Sequence, residues 1–380
     1  MSLIPNQKAL FDIPDDVVYL DCAAQSPALK ASFAAGELGL GWKLHPWDPD
    51  RGQLKAEMER ARELFGGLVG SPAENIALMT STSYGTAIAA ANLTLLAGQN
   101  IVLLQDQFPS NYYCWQHLAK RNGGQIKTVA RPADGNWTAA VIDAIDENTG
   151  IVALPNCHWT DGGRLDLETI APAVHGQGAS FFIDATQSIG MHAFDVAKLN
   201  PDFVACSAYK WLLSPDASGY LYVAPRHLDG QPIEDNHAGR IGETSMEVGA
   251  GYGARYQAGA VRFDQGASDS MIHIPMSASA MAQISTWEVV NIDATMRPLT
   301  DYIAEQATAR GFKVPPSAQR VSHFIGFYPD AMPDRLIPQL KALNIHVSLR
   351  GGAIRVSPYL FNGREDVDQL FTAIDSIFSF

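Results

Sequence analysis

Two polar segments follow short apolar runs, and both carry residues that could do chemistry. Asp184 comes directly after the run Ser180–Ile183, and Lys210 comes shortly after the run Phe203–Cys206. Short continuous apolar runs are typical of buried strands. Because open parallel sheets bind ligands at the carboxyl ends of their strands, a carboxylate and an amine 26 positions apart could share one site. On spacing alone, a plain ion pair is the simpler interpretation.

A third polar segment adds to this pair. Residues 81–83 (Ser-Thr-Ser) precede the alanine-rich stretch Ala87–Leu96, which predicts a helix capped by hydroxyl side chains. A helix N-terminus offers backbone N–H groups to a phosphate. Pyridoxal 5′-phosphate (PLP) needs such a phosphate site, a lysine amine for its Schiff base and a carboxylate that keeps its pyridine nitrogen protonated. Lys210, Asp184 and residues 81–83 meet these needs together, so the sequence predicts a PLP site.

Longer motifs surround the two central residues. Asp184 lies in FIDATQSIG, at Phe182–Gly190, and Lys210 lies in SAYKWLLSP, at Ser207–Pro215. These motifs resemble the cofactor-ring and lysine motifs of the class V aminotransferase family of fold type I PLP enzymes. That family includes cysteine desulfurases, kynureninases and isopenicillin N epimerase-like proteins. The resemblance runs from about Tyr19 to the last helix, and it implies that Lys210 forms the Schiff base while Asp184 pairs with the pyridine nitrogen.

The same resemblance implies cofactor contacts for seven further residues. These are Thr82, Ser83 and Ser207 at the phosphate, Phe108 stacked on the ring, Gln187 at the ring hydroxyl, Asn156 at that hydroxyl or the substrate, and Tyr209 beside the lysine. Tyr209 stands where many family members carry His, and it resembles the kynureninase pattern, as does the FPSN segment that begins at Phe108. Helix capping alone also explains Thr82 and Ser83, and it does not exclude the phosphate contact.

A candidate substrate-binding residue lies near the end of the chain. IRVSPYLFN, at Ile354–Asn362, resembles the carboxylate-binding segment of the family. The resemblance implies that Arg355 binds the α-carboxylate of an amino acid substrate, a task that suits the planar guanidinium. Arg350 is a second candidate cation. His158 is at least as readily a satisfied structural residue as a catalytic one.

The pattern around the motifs predicts the architecture. Further apolar runs lie at Ile101–Leu104, Ile151–Leu154 and Tyr220–Val223. Continuous apolar strands separated by helices predict an α/β fold with a mostly parallel sheet covered on both faces. The resemblance specifies the PLP-dependent transferase fold type I. We expect an N-terminal segment over residues 1–15 that packs with the small domain, a large PLP-binding domain over residues 16–265, and a smaller C-terminal α+β domain over residues 266–380.

The second half of the chain has a different character. Residues 231–266 are rich in glycine and polar residues and predict extended loops. Ile274–Val290 predicts a helix. A final helix is indicated by apolar residues on one face, with Asn362 and Glu365 in the spacing of a capping box. Those apolar residues are Val367, Leu370, Phe371, Ile374, Ile377 and Phe378.

Composition narrows the class of protein. The chain has 380 residues, of which 47% are hydrophobic, with mean hydropathy −0.04 and net charge −13. This acidity argues against binding of nucleic acid, which needs a basic face. The N-terminal residues show no signal peptide, and no apolar run is long enough to span a bilayer, so we expect a cytoplasmic protein without a membrane partner. The four cysteines form no CxxC pair, so we expect neither a disulfide framework nor a metal site.

The reaction itself stays open at this point. Once a substrate amine displaces it, Lys210 is the natural general base for the α-proton. A class V aminotransferase-type activity is the most general assignment, and kynureninase-like Cβ–Cγ cleavage or epimerisation fits the motifs as well. A cysteine desulfurase is disfavoured, because that reaction needs a mobile cysteine in the C-terminal half and all four cysteines precede Lys210.

The resemblance also implies a homodimer with active sites near the subunit interface. In RFDQGAS, at Arg262–Ser268, the family often has Gly-Thr that reaches the phosphate of the neighbouring subunit. Here Ala267 and Ser268 stand at that place, which leaves this contact open.

Two other classes of function fit poorly. The glycine-rich segment Gly249–Gly253 does not match GxGxxG and follows no apolar strand, so a nucleotide-dependent oxidoreductase is disfavoured. A non-catalytic protein that kept the fold would have no reason to keep Lys210, Asp184 and Arg355.

Overall fold

The computed structural model describes residues 2–48, 51–241 and 255–378. Its strands are β1 (Val18–Tyr19), β2 (Ile76–Met79), β3 (Asn100–Leu104), β4 (Gln125–Val129), β5 (Thr149–Pro155), β6 (Ser180–Asp184), β7 (Phe203–Ser207), β8 (Gly219–Val223), β9 (Ile325–Phe327), β10 (Ile345–His346), β11 (Ser348–Arg350) and β12 (Ala353–Val356). Its α-helices are α1 (Lys30–Leu44), α2 (Arg51–Val69), α3 (Thr82–Asn92), α4 (Tyr113–Asn122), α5 (Trp137–Ala144), α6 (Leu167–Gly176), α7 (Val196–Leu199), α8 (His273–Trp287), α9 (Val289–Ala309), α10 (Leu336–Ala342) and α11 (Arg364–Phe378).

A seven-stranded sheet forms the centre of the molecule, with strand order β2-β8-β7-β6-β5-β3-β4. Strands β3 to β7 pair in parallel, and only β8 runs antiparallel to its neighbours β2 and β7. Every residue of β5 and β7 is buried. Burial on both faces explains why these strands are continuous apolar runs rather than alternating ones. The predicted α/β architecture with a mostly parallel sheet is confirmed.

The sheet brings the polar segments to one edge. Strands β6 and β7 are parallel neighbours, and Asp184 at the end of β6 is in register with Ala205 of β7. Helix α3 begins at Thr82, and the Ser81 hydroxyl accepts a hydrogen bond from the Tyr84 N–H at 3.3 Å. The capped helix predicted from Ala87 therefore starts five residues earlier, within the polar segment itself.

Two smaller sheets complete the fold. Strand β12 pairs antiparallel with β11 and β9, and the two-residue strand β1 pairs in parallel with β10. The N-terminal residues pack on the segment just before α11: the Gln7 N–H donates to the Leu360 carbonyl at 2.9 Å, and the ring centroids of Phe11 and Phe361 are 4.9 Å apart. The domain boundaries at residues 15 and 265 stay a prediction.

The helix predicted over Ile274–Val290 is in fact two helices. Helix α8 ends at Trp287, α9 begins at Val289, and Glu288 between them has a φ of 61°. The left-handed conformation is uncommon for a residue with a side chain, and glutamate gives no sequence signal for it. The prediction of one continuous helix was wrong at its C-terminal end.

The final helix is confirmed as α11, with a different start from the one predicted. The Asp366 carboxylate, rather than that of Glu365, accepts the Gly363 N–H at 2.9 Å and the Asn362 amide at 3.1 Å. All four cysteines are free thiols. No helix within the described ranges combines the length and apolar character that crossing a membrane requires.

Candidate active site

A cavity of about 230 Å³ opens where strands β5, β6 and β7 end. Eight of the ten residues that the sequence predicted for the site line it: Thr82, Ser83, Phe108, Asp184, Gln187, Ser207, Tyr209 and Lys210. The other lining residues are Ser81, Gln107, Ser110, Pro155, Cys157, Trp159 and Thr186. The fold therefore brings together segments that lie more than a hundred residues apart in the chain.

Hydroxyl groups cluster at the N-terminus of α3. The Thr82 Oγ1 lies 2.8 Å from the Ser207 Oγ and 2.6 Å from the Thr186 Oγ1. The Thr82 N–H donates to the Ser207 hydroxyl at 2.9 Å, which ties the helix start to the end of β7. Hydroxyls at a positive helix end suit an anion such as a phosphate.

Asp184 is a buried carboxyl group in the cavity wall, with 7% of its surface exposed. Its Oδ1 accepts the Thr186 N–H at 3.1 Å. Among the residues that the structure describes, it forms no ion pair within 4.0 Å. Burial raises the pKa of this carboxyl group, and the Thr186 hydrogen bonds and the charge of Lys210 offset only part of that rise. A protonated ring nitrogen in the cavity would supply the missing partner, so Asp184 fits the predicted PLP ring.

Lys210 is equally buried, and its ammonium group lies beside two aromatic rings. The Nζ is 5.5 Å from the ring centroid of Phe108 and 5.5 Å from that of Tyr209. Burial lowers the pKa of Lys210 to about 8, although the charge of Asp184 acts in the opposite direction and Arg355 adds to the lowering. The side chain is therefore a neutral nucleophile or base for a much larger fraction of the time than an exposed lysine.

Gln187 is held by the protein on several sides. Its Nε2 donates to the Ala23 carbonyl at 3.0 Å, and its Oε1 accepts from the Trp211 indole at 2.7 Å. Its backbone carbonyl accepts from the His323 Nε2 at 2.7 Å. One N–H of the amide is left for a ligand. The predicted contact with a ring hydroxyl stays a prediction.

Arg355, the predicted carboxylate-binding residue, lies just behind the cavity lining. It is 1% exposed, its Nη1 donates to the Trp159 carbonyl at 3.0 Å, and its Nη2 lies 3.4 Å from an oxygen of Asp21. Its Nε has no protein partner among the described residues. Burial lowers the pKa of Arg355 to about 10. The charge of this group lowers the pKa of Lys210, as does that of Arg350.

Asn156 is not brought to the site. Pro155 and Cys157 line the active-site cavity, whereas Asn156 between them lines a separate cavity of about 430 Å³ together with His192 and Arg297. Successive residues of an extended chain point in opposite directions, which explains the alternation. The position of Asn156 gives no support to the predicted cofactor contact.

Both ring nitrogens of His158 have hydrogen-bond partners within the protein, as expected for a structural residue. Its Nε2 faces the Gln105 carbonyl at 3.0 Å, so this nitrogen carries the proton and donates. Its Nδ1 accepts from the Thr160 hydroxyl at 2.7 Å and from Arg131 at 3.1 Å. The ring also stacks on Trp137 with 5.2 Å between centroids. Burial lowers the pKa of His158, so the ring is neutral and satisfied.

Several residues that line the cavity were not predicted from the sequence. The Trp159 indole donates to the Asp106 carbonyl at 2.8 Å, and its ring meets the Phe108 ring edge-on at 5.4 Å. Trp159 and Gln107 lie in loops, where spacing carries no signal. Thr186 could have been found, since its hydroxyl follows two residues after Asp184 at a strand end.

The segment around Ala267, noted in the sequence for a possible phosphate contact, does not line this cavity. Ala267 and Ser268 line another cavity, of about 370 Å³, beside the edge strand β2. The glycine-rich segment Gly249–Gly253 lies outside the described residues.

Comparison with protein families gives one match over most of the chain. Residues 18–370 match the model of the family described as aminotransferase class V. A kynureninase from Deinococcus radiodurans is 30% identical over 237 residues, which is 60% of this chain and 56% of that protein. An isopenicillin N epimerase from Streptomyces clavuligerus is 27% identical over 56% of this chain and 55% of that protein. The chain therefore spans about half the length of these two relatives.

Solved structures show the same fold along almost the whole chain. An apo cysteine desulfurase from Thermococcus onnurineus NA1 superposes with a TM-score of 0.85 at 19% identity and covers 100% of both chains. A mutant of C-DES with glycine covalently linked to its PLP cofactor superposes with a TM-score of 0.88 at 15% identity, over 98% of this chain and 99% of that one. At these identities the likeness establishes the fold, and the predicted fold type I is confirmed.

Proposed function

Since the chain belongs to the class V aminotransferase family, we propose that it is an enzyme that binds PLP at Lys210 and transforms an amino acid. One observation carries the proposal. A single cavity holds a buried lysine with a lowered pKa, a buried carboxyl group that has no ion-pair partner among the described residues, and a hydroxyl cluster at a helix N-terminus. These are the three groups that PLP requires.

The residues of the cavity divide between the parts of the cofactor. Thr82, Ser83 and Ser207 would hold the phosphate, and Asp184 would hold the pyridine nitrogen in its protonated form. Phe108 would lie against the ring of the cofactor, and the perpendicular Trp159 ring packs against Phe108. When bound, PLP supplies an electron sink for charge that develops at the substrate α-carbon.

Lys210 and Arg355 would act on the substrate. The Nε of Arg355 has no partner in the described part of the chain, and this arginine would bind the α-carboxylate, while Asp21 and the Trp159 carbonyl hold the guanidinium in place. Lys210 would remove the proton from the α-carbon, because its lowered pKa makes the neutral amine available near pH 8.

The reaction we favour is that of a class V aminotransferase-type enzyme. Kynureninase-like hydrolysis is the second candidate. A kynureninase is among the similar proteins, and Tyr209 and the FPSN segment resemble the kynureninase pattern. Epimerisation is a third, supported by the epimerase relative. Cysteine desulfuration is less favoured. Cys157 is the cysteine in the cavity wall, and it is fully buried with its pKa raised by that burial, which suits packing rather than nucleophilic attack.

The expected homodimer is part of this proposal. Its support is the resemblance to the family, in which active sites lie near the subunit interface. Sedimentation velocity of the purified protein measures the mass directly, and a monomer at micromolar concentration would contradict the expectation.

Borohydride reduction tests the central assignment. Reduction of protein saturated with PLP should attach the cofactor to Lys210, which peptide mass spectrometry locates. The variant Lys210→Ala should bind PLP without becoming labelled and should lose turnover. An unmodified Lys210 after complete reduction would show that the assignment is wrong.

A screen of amino acids separates the candidate reactions. Accumulation of pyridoxamine 5′-phosphate would indicate transamination, and release of alanine from L-kynurenine would indicate hydrolysis. Loss of optical activity without a new product would indicate epimerisation. Release of sulfide from L-cysteine would overturn our order of preference.

A further inference from the structure

Gln107 carries an unsatisfied hydrogen-bond donor inside the active-site cavity. The residue is 8% exposed and belongs to the cavity lining. Its Oε1 accepts the Phe108 N–H at 2.9 Å, whereas its Nε2 has no protein partner within the described ranges. The amide cannot be turned round, because that would set its NH₂ group against the Phe108 N–H. The free donor is therefore a fixed feature of the cavity.

The loop after β3 directs this side chain inward. Asp106 has a φ of 54°, a left-handed conformation that turns the chain. Gln105, which precedes the turn, and Asp106, which forms it, are exposed. Gln107, which follows the turn, is buried. Gln105 uses its side chain in a similar way to Gln107, since its Oε1 accepts the Arg131 N–H at 3.0 Å. Only Gln107, however, lines the cavity.

A buried donor without an acceptor costs free energy, and buried polar groups without partners are rare in folded proteins. An oxygen atom that enters the cavity with a ligand would remove this cost. We propose that the Nε2 of Gln107 donates a hydrogen bond to an oxygen of the bound ligand, a contact that the family resemblance does not assign. The acceptor is a carboxylate, phosphate, phenolate or carbonyl oxygen, and it belongs to the cofactor or to the substrate. This inference rests on the proposed PLP-dependent function.

The substitution Gln107→Glu tests the role of the Nε2 donor separately from that of the Oε1 acceptor. Glutamate keeps the oxygen that accepts the Phe108 N–H and replaces the NH₂ group by a second oxygen. Gln105→Glu is the matched control, because it makes the same change in the same loop outside the cavity. Loss of a hydrogen bond to a charged oxygen, with repulsion added, should weaken binding about tenfold or more.

Two measurements on the full-length protein identify the source of the oxygen. The first is the dissociation constant of PLP from the apoprotein, followed by absorbance. The second is the dissociation constant of an amino acid from the holoenzyme. The probe is whichever of the standard amino acids or L-kynurenine shifts the wild-type spectrum at the lowest concentration. An effect of Gln107→Glu on PLP alone places the oxygen on the cofactor, and an effect on the amino acid alone places it on the substrate.

The outcome that overturns the inference is clear. If Gln107→Glu binds both PLP and the amino acid within twofold of Gln105→Glu, Gln107 does not contact the ligand. Thermal unfolding of the apoproteins checks that each variant is folded, and Gln107→Leu replaces Gln107→Glu if the buried carboxylate prevents folding. Failure of borohydride to label Lys210 in the wild type would instead overturn the proposed function, so the two failures are distinct.

Discussion

Burial and charge act on Lys210 in opposite directions. Burial disfavours the ammonium form, and the charge of Asp184 favours it, with the result that the pKa falls from 10.5 to about 8. At pH 7 a lysine with this pKa is neutral in about one molecule in ten, against about one in three thousand for an ordinary lysine. Only the neutral amine can attack the aldehyde of PLP or accept a proton.

We therefore expect covalent attachment of PLP to Lys210 to speed up as the pH rises through about 8. Below that pH the amine is protonated, and above it the neutral form dominates, so the rate should level off. Stopped-flow absorbance after mixing apoprotein with PLP measures this rate, and Lys210→Ala gives the baseline without attachment. A midpoint close to 10.5, the ordinary value for lysine, would contradict the prediction.

The placement of site residues was predictable where a sequence motif marks a strand end, and not where it depends on the local backbone conformation. Asp184, Lys210 and Ser207 lie at strand ends, so the order of the strands placed them in one cavity. Asn156 also follows a strand, but a shift of one residue turns it to another cavity. The burial of Gln107 depends on a left-handed turn at Asp106, for which the sequence contains no glycine.

At the scale of elements, helix α1 is placed by close contact with α8. A Cβ atom on Gly39 would overlap the carbonyl oxygen of Met271, just before α8 begins. Gly41, in the same helix, would meet nothing within 4 Å. Glycine in a helix interior is unfavourable by itself. Close packing therefore explains the need for glycine at position 39, while position 41 has no such steric requirement.

This difference predicts opposite effects of the same substitution. Gly39→Ala should lower the free energy of unfolding by about 1–3 kcal/mol, because the helices must move apart. Gly41→Ala should raise it by up to about 1 kcal/mol through helix propensity. Urea denaturation of both variants measures these changes. Equal stability of the two variants would show that α1 does not pack on α8 as described.

Elements of the central sheet were easier to predict than the helices around it. The apolar runs of β5 and β7 are buried throughout, so their composition alone identified them. The boundary between α8 and α9 rests on the backbone of Glu288, where tertiary packing overrides local preference. The predicted start of α3 was too late, because its hydroxyl residues form both the N-cap and the first turn of the helix.

At the scale of the whole molecule, the site joins distant parts of the chain. Arg355 lies on β12, and its guanidinium reaches Asp21, close to the N-terminus, and the Trp159 carbonyl, in the loop after β5. Asp184 is the last residue of β6, in the middle of the central sheet. A ligand that binds these groups in the native state, and not in the unfolded chain, must stabilise the whole fold.

Asp184 makes this linkage testable, because its carboxyl group should lower the stability of the apoprotein and raise the stability of the protein with PLP bound. In the apoprotein, burial raises its pKa above the ordinary value of 3.8. The native state then binds more protons than the unfolded state just above pH 3.8, so stability falls as the pH rises from 3.8 through the raised pKa. At neutral pH the buried carboxylate is a cost that Asp184→Asn removes. With PLP bound, the same carboxylate gains a charged partner.

We therefore expect the unfolding midpoints of wild type and Asp184→Asn to change order when PLP is added. Without cofactor the variant should be at least as stable as the wild type. At a PLP concentration of about 100 times its dissociation constant, the wild type should gain about 2.7 kcal/mol. At that concentration the variant should gain less, by about 1.4–2.4 kcal/mol, because the loss of a hydrogen bond to a charged group should weaken its PLP binding by about 1.5–3 kcal/mol. Thermal unfolding with and without PLP at pH 7 measures both gains. Equal gains in the two proteins would show that Asp184 does not hold the charged ring, because nothing else in the substitution distinguishes the apo state from the bound state.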